Sequence, residues 1–160
     1  MSDDQSEREL RNTGDEPKVI VIAIDASQRS TRVVSLAARL ARSLPDAALH
    51  LVHVFRTSRL ERGHAWSSGT DTEVLDDAKE HLAAYQRQAK AVCRNPVTSH
   101  FLVGDPTHEI LKKLEELHAD LLVIGTPDHH GFERLLLGSI AETLTRRAGC
   151  SVLVVRPSTS

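Results

Sequence analysis

Lys18 to Ile24 reads KVIVIAI, a β-branched run with no polar alternation. A strand wetted on one face alternates apolar and polar residues, whereas a strand without alternation is covered on both faces. Double coverage is the habit of parallel sheets, whose crossover helices lie on either side. The run therefore predicts a central strand of a parallel sheet and requires helices to flank it. Its six unbroken apolar residues, Val19 to Ile24, are the longest such run in the chain, far short of the roughly 20 that span a bilayer.

The rest of the sequence supplies those helices. After DASQRS, the residues Val33, Leu36, Ala37, Leu40, Ala41 and Leu44 recur at helical spacing until Pro45 stops them. ALHLVHV (Ala48 to Val54) reads as a second strand, and Leu75, Ala78, Leu82, Tyr85, Ala89 and Val92 form another helical stripe after the polar segment Thr57 to Thr72. VTSHFLV (Val97 to Val103) mixes polar and apolar positions, as an edge strand does. Asp105 and Pro106 then open a helix as N-cap and first helical residue, an arrangement that satisfies orphan amides and presets the backbone. DLLVIG, SIAETLTRRA and SVLVV follow as strand, helix and strand. Five strands alternating with four helices predict an α/β fold, a doubly wound five-stranded parallel sheet with helices on both faces.

A chain of 160 residues is the size of one compact domain, able to bury about two-thirds of its unfolded surface. The expected organisation is a disordered tail at 1–17, one α/β domain at 18–157 and a short tail at 158–160. The acidic start MSDDQSERELRNTGDEP lacks the basic and apolar regions of a secretory signal. Cys93 and Cys150 form no C-x-x-C pair or disulfide framework, so they read as two buried small hydrophobes in a reducing cytoplasm. A net charge of −2 with both signs interspersed, and only five aromatic residues, argue against a nucleic-acid footprint or base-stacking platform.

Doubly wound sheets take ligands at the carboxyl ends of neighbouring strands whose connections leave in opposite directions. The two most apolar strands, Lys18 to Ile24 and Leu121 to Ile124, are expected side by side at the centre. Asp25 to Ser27 then lie on one side of the crevice and Gly125 onward on the other. The segment GTPDHHGFERLLLGSIAET, Gly125 to Thr143, carries three glycines into that crevice. It is no Walker loop, because Gly131 and Gly138 stand too far apart and no lysine follows; nor does it contain G-x-G-x-x-G. What remains is a glycine–serine pair at a helix start, where free amides and the helix dipole favour an anion. The competing reading is structural: Ser139 to Glu142 forms a capping box, with Gly138 permitting the turn. Asp128, His129 and His130 resemble metal ligands, but neighbours on one loop rarely converge, and they read as a solvated turn. His53, inside a buried strand, reads as a hydrogen-bonded core residue.

From Lys18 to Pro157 the chain resembles the universal stress protein family, through VIAIDAS, LVHV, VGDPTHEIL, ADLLVIG and GFERLLLGSIAETLTRRAGCSVLVV in that order. The resemblance implies strand order 3-2-1-4-5 and a homodimer joined through the last strand, Ser151 to Val155. Members that bind ATP carry G-x-x-G, nine residues, then G-[ST]. Gly125, Gly138 and Ser139 match, but Asp128 stands where the second glycine belongs. Aspartate tolerates a left-handed backbone, yet its carboxylate beside phosphates is repelled unless a metal intervenes. By the same resemblance Asp25 accepts from ribose hydroxyls or, like Asp128, helps hold Mg with bound nucleotide; a cap or loop acid is the equal alternative. Ala23 and Ile24 wall the adenine pocket, Val54 contacts the base, and Ile140 adds its amide to those of Gly138 and Ser139; for the three apolar residues, plain core packing is the rival.

Two functions follow: a stress-response regulator binding ATP or another adenine nucleotide between strands 1 and 4, or a dimeric interaction module that binds none because Asp128 blocks the loop. A receiver-type phosphoacceptor is excluded, since Asp25 lacks an acidic cluster, Gly104 follows Val103, and Arg156 replaces the final lysine. No positioned base or arginine clamp supports catalysis, so negligible ATP turnover is expected.

Overall fold

The computed structural model describes residues 16–25, 30–56, 70–126 and 138–156, with backbone alone at 70–72. Its elements run β1 (Val19–Ile24), α1 (Ser30–Arg42), β2 (Ala48–Arg56), α2 (Thr70–Val92), β3 (Val97–Gly104), α3 (Pro106–Glu116), β4 (Leu121–Gly125), α4 (Ser139–Arg147) and β5 (Ser151–Val155). The expected N-terminal tail up to residue 15, residues 157–160, the loop 57–69, and Asp128, His129 and His130 lie outside the described residues.

All five strands are parallel, in the order β3-β2-β1-β4-β5. The doubly wound α/β expectation and its strand order hold, and VTSHFLV is indeed an edge. β1 lies in the middle because its residues alternate between two cores. Ile20, Ile22 and Ile24 pack under α1 and α2, while Val21 packs under α3 and α4. Burial of both faces is the physical reason the run shows no polar position. α1 presents Ala37, Ala38 and Ala41, all fully buried, and these small side chains let it lie close on the sheet.

Register is set at the strand starts. Asp120 Oδ2 accepts from the amides of both Lys18 and Val19 at 2.9 Å, and the Asp120 amide donates to the Val19 carbonyl at 2.9 Å. Ile20 then stands beside Leu121, and Ala23 beside Ile124.

Helix boundaries depart from expectation in two places. α1 closes at Arg42 and not at Leu44, because Ser43 and Leu44 donate to carbonyls three residues back and tighten the chain before Pro45. α2 begins at Thr70, so the last residues of the expected polar loop are helical. Asp71 and Glu73 fall in its first turn, where acids suit the positive end of the helix. α3 starts as expected: Asp105 Oδ1 accepts from the His108 amide at 2.9 Å, with Pro106 as the first helical residue. Cys93 is buried as expected, but Cys150, at the turn into β5, is only half-buried against the edge of the second core.

Candidate functional site

The carboxyl ends of β1, β2 and β4 open into a cavity of about 580 Å³. Eight sequence-predicted positions line it together: Ala23, Ile24, Asp25, Val54, Gly125, Gly138, Ser139 and Ile140. The ninth, Asp128, lies outside the described residues.

Topology explains the convergence. α1 leaves β1 toward one face and α4 leaves β4 toward the other, so the chain parts between these strands at their carboxyl ends. Gly125 closes the floor. A Cβ there would sit 2.9 Å from Val33 Cγ2, so the absence of a side chain lets α1 seat against the end of β4.

Asp25 is held in place from α1. Ser30 Oγ accepts from the Asp25 amide at 3.1 Å and has the Asp25 carbonyl at 3.0 Å and Oδ1 at 2.8 Å as acceptors for its one proton. Ser30 is only 3% exposed, so this contact is sheltered and fixes where the carboxylate stands at the cavity wall.

At α4 the capping-box expectation is corrected. Gly138 occupies the N-cap with φ −57° and ψ 154°, Ser139 is already the first helical residue, and among the described residues no side chain caps the helix. Glu142 lies 3.6 Å from Arg146 one turn on and does not reach back to the cap. The physical reason is position: only the N-cap residue has the extended backbone from which a short side chain reaches the N2 and N3 amides. The first bond within α4 runs from the Glu142 amide to the Gly138 carbonyl. The amides of Ser139, Ile140 and Ala141 precede it, have no intrahelical acceptor, and belong to residues lining the cavity. They form the positive pole of this site.

The walls are mostly apolar, from Ala23, Ile24, Val33, Val54, Ile110 and Leu144. Arg56 stands exposed at the rim and supplies positive charge, while Asp25 and Asp77 supply negative charge. The sequence reading missed Arg56, Ser30, Phe55, Thr126 and a face of α2. Val74, Asp77, Ala78 and His81 are spaced i, i+3, i+4, i+7, which is the signal that could have found that wall. His81 Nδ1–H donates to the Asp77 carbonyl at 2.8 Å.

His53 is the core histidine expected: 8% exposed, with Nδ1–H donating to the Ile24 carbonyl at 3.1 Å. It also borders the cavity, which was not foreseen. Among the described residues no group of three or more His, Cys, Asp or Glu side chains is arranged for a metal ion. No helix there is long and apolar enough to cross a membrane.

Comparison with known proteins gives a consistent result. Residues 17–156 match the model of the universal stress protein family. The chain is 34% identical over 142 residues to universal stress protein A homolog 1 of Coxiella burnetii, covering 86% of this chain and 95% of that protein. Among solved structures it resembles the universal stress protein from Archaeoglobus fulgidus in complex with dAMP, at 25% identity and a TM-score of 0.64, covering 86% of this chain and 96% of that one. A universal stress protein in complex with cAMP shares the fold with a TM-score of 0.67 at 24% identity, covering 89% of this chain and 98% of that one.

Proposed function

Because this chain belongs to the universal stress protein family, we propose that it is a cytoplasmic stress-response regulator that binds an adenine nucleotide, ATP or a relative of it, between β1 and β4. The observation that carries the reading is the pairing, within one cavity, of apolar walls with the amides of Ser139, Ile140 and Ala141, which precede the first bond of their own helix. An apolar chamber with a few placed polar groups suits a base, and a helix start suits a phosphate. The dAMP complex of the Archaeoglobus relative supports the same ligand class here.

In this reading Asp25, steadied by Ser30, accepts from ribose hydroxyls or shares Mg with the phosphates. Gly125, Gly138, Ser139 and Ile140 form the phosphate side, and Ala23, Ile24 and Val54 the base side. Hydrolysis is expected to be negligible, and steady phosphate release at an ordinary enzymatic rate would refute this.

Asp128 favours a second reading, a dimeric interaction module without nucleotide, because a carboxylate replaces the glycine expected in the loop. Calorimetric titration with AMP and with ATP, each with and without Mg, on the wild type and on Asp128→Gly, separates the two. Binding by the wild type supports the regulator. Binding by the variant alone supports the module, and binding by neither removes the nucleotide from the account.

A further inference from the structure

We propose that the acidic amino-terminal segment of this chain docks in a basic groove between the closing turns of α1 and α2. The groove lies at the amino ends of β2 and β3, whereas the cavity lies at the carboxyl ends of the strands. The inference therefore stands apart from the nucleotide reading.

The groove encloses about 620 Å³. Arg42 at the end of α1, Lys90 in the last turn of α2 and Arg94 past its end line it, together with the apolar surfaces of Pro45, Val92 and Pro96. No acid belongs to the lining, and Asp46, exposed beside Pro45, is not part of it. All three cations are exposed, and among the described residues none of them has an ion-pair partner.

The imbalance is written into the two helices. α1 contains no Asp or Glu, and α2 has only bases, Arg87 and Lys90, after Glu80. Cations in a last turn complement the helix dipole, which accounts for Arg42 and Lys90. Arg94 adds a further positive charge beyond that turn. Like charges around one groove repel, and an anionic occupant relieves them.

The floor is braced, and the chain enters the domain beside the brace. Asn95 Nδ2 donates to the carbonyls of Leu44 and Ala47, both at 2.9 Å, and the Pro96 carbonyl accepts from the Leu49 amide at 2.8 Å. The neighbouring Ala48 amide donates to the Lys18 carbonyl at 2.7 Å. Whatever precedes Lys18 thus starts next to the groove.

What precedes it has the complementary charge. Residues 1–15, which lie outside the described residues, carry Asp3, Asp4, Glu7, Glu9 and Asp15 against Arg8 and Arg11. At about 3.3 Å per residue, Glu9 commands about 30 Å of chain from Lys18, more than the breadth of two adjoining helices, about 20 Å. Exposed ion pairs are individually weak. A short tether holds its end at about millimolar effective concentration, so a contact too weak for two separate molecules is populated within one.

Amide spectra of the full chain test the proposal by NMR. Between about 0.01 M and about 1 M sodium chloride the screening length falls from about 30 Å to about 3 Å. The amides of Asp3 to Leu10 and those of Arg94 and Asn95 should shift together over that range. In the double variant Arg42→Glu with Arg94→Glu, the low-salt positions of the segment should move to those of the wild type at high salt. Adding Asp3→Lys, Asp4→Lys and Glu7→Lys reverses both partners and should bring the salt-dependent shifts back. Segment amides that are the same at low salt in the wild type and in the double variant overturn the inference, as do reversed charges that restore nothing. Shifts that fade on dilution would seat the segment on a second copy and overturn it too.

Discussion

Ser30 and Asp25 are joined across the first crossover by a hydroxyl that accepts from the Asp25 amide and stands 2.8 Å from its carboxylate. One side chain thereby fastens the end of β1 to the start of α1 and holds the acid that borders the cavity.

Replacing that hydroxyl tests its two roles. Ser30→Ala leaves the sheltered Asp25 amide without its partner, which costs about 1–2 kcal/mol. Urea unfolding should show a lower midpoint with an unchanged slope. AMP affinity should fall as well, because the carboxylate loses the group that positions it. An unchanged midpoint would show that the contact adds nothing to the fold.

Gly125 gives a sharper steric expectation. An alanine Cβ would lie 2.9 Å from Val33 Cγ2, inside the range that real Cβ atoms avoid. Gly125→Ala should destabilise by about 1–3 kcal/mol, the usual cost of overpacking. Val33→Ala in the same chain removes the obstructing methyl groups and should make the double variant less unstable than the two single losses summed. That coupling is read from a double-mutant cycle of urea midpoints. Strict additivity would mean that the clash is relieved elsewhere.

The central place of β1 and β4 and the edge at β3 were legible because each strand announces its burial, while the full strand order came with the family resemblance. KVIVIAI has no polar residue to turn toward water, and β1 proves to be sandwiched between α1 and α2 on one face and α3 and α4 on the other. Asp25 and Gly125 were legible for a related reason, since strand ends beside a topological switch are sites in any doubly wound sheet, whereas Ala23, Ile24, Val54 and Ile140 came only with the family resemblance. His53 was read as core, and it is core. The cap at α4 was misread because Gly138 and Ser139 both suit an N-cap, and only the backbone angles show which of them stands outside the helix.

A pair of histidines predicts an acid response. His50 Nδ1 lies 3.0 Å from His100 Nε2, so one proton is shared and a doubly protonated pair loses the bond. Burial lowers both pKa values, assisted by the Lys113 charge on each and by His50 on His100; Glu116 opposes at His100. The unfolded rings titrate near the ordinary 6.5, so between the lowered values and 6.5 the unfolded chain binds more protons. Stability is therefore retained above that value and lost as the pH falls below it. Both rings are partly exposed, and screening keeps the effect under about 1 kcal/mol for each. The urea midpoint should drop between about pH 7.5 and 5.5, and His100→Gln should reduce the drop. A drop of the same size in the variant would assign it to groups other than this pair.

Association should follow from the edges of the sheet. β3 and β5 each have one side without a strand among the described residues. The β3 segment carries Thr98, Ser99 and His100, polar residues that weaken its appeal as a template, whereas SVLVV is uncharged and apolar after its first residue. Val152, Leu153 and Val154 remain partly exposed on β5. A second copy laid antiparallel against this strand about a twofold axis would pair the open amides and cover those side chains at once. Light scattering at micromolar concentration should therefore give twice the chain mass, and hydrogen exchange at Ser151 to Val155 should quicken on dilution. A monomer at that concentration, or β5 amides whose exchange ignores dilution, would place the dimer contact elsewhere or remove it.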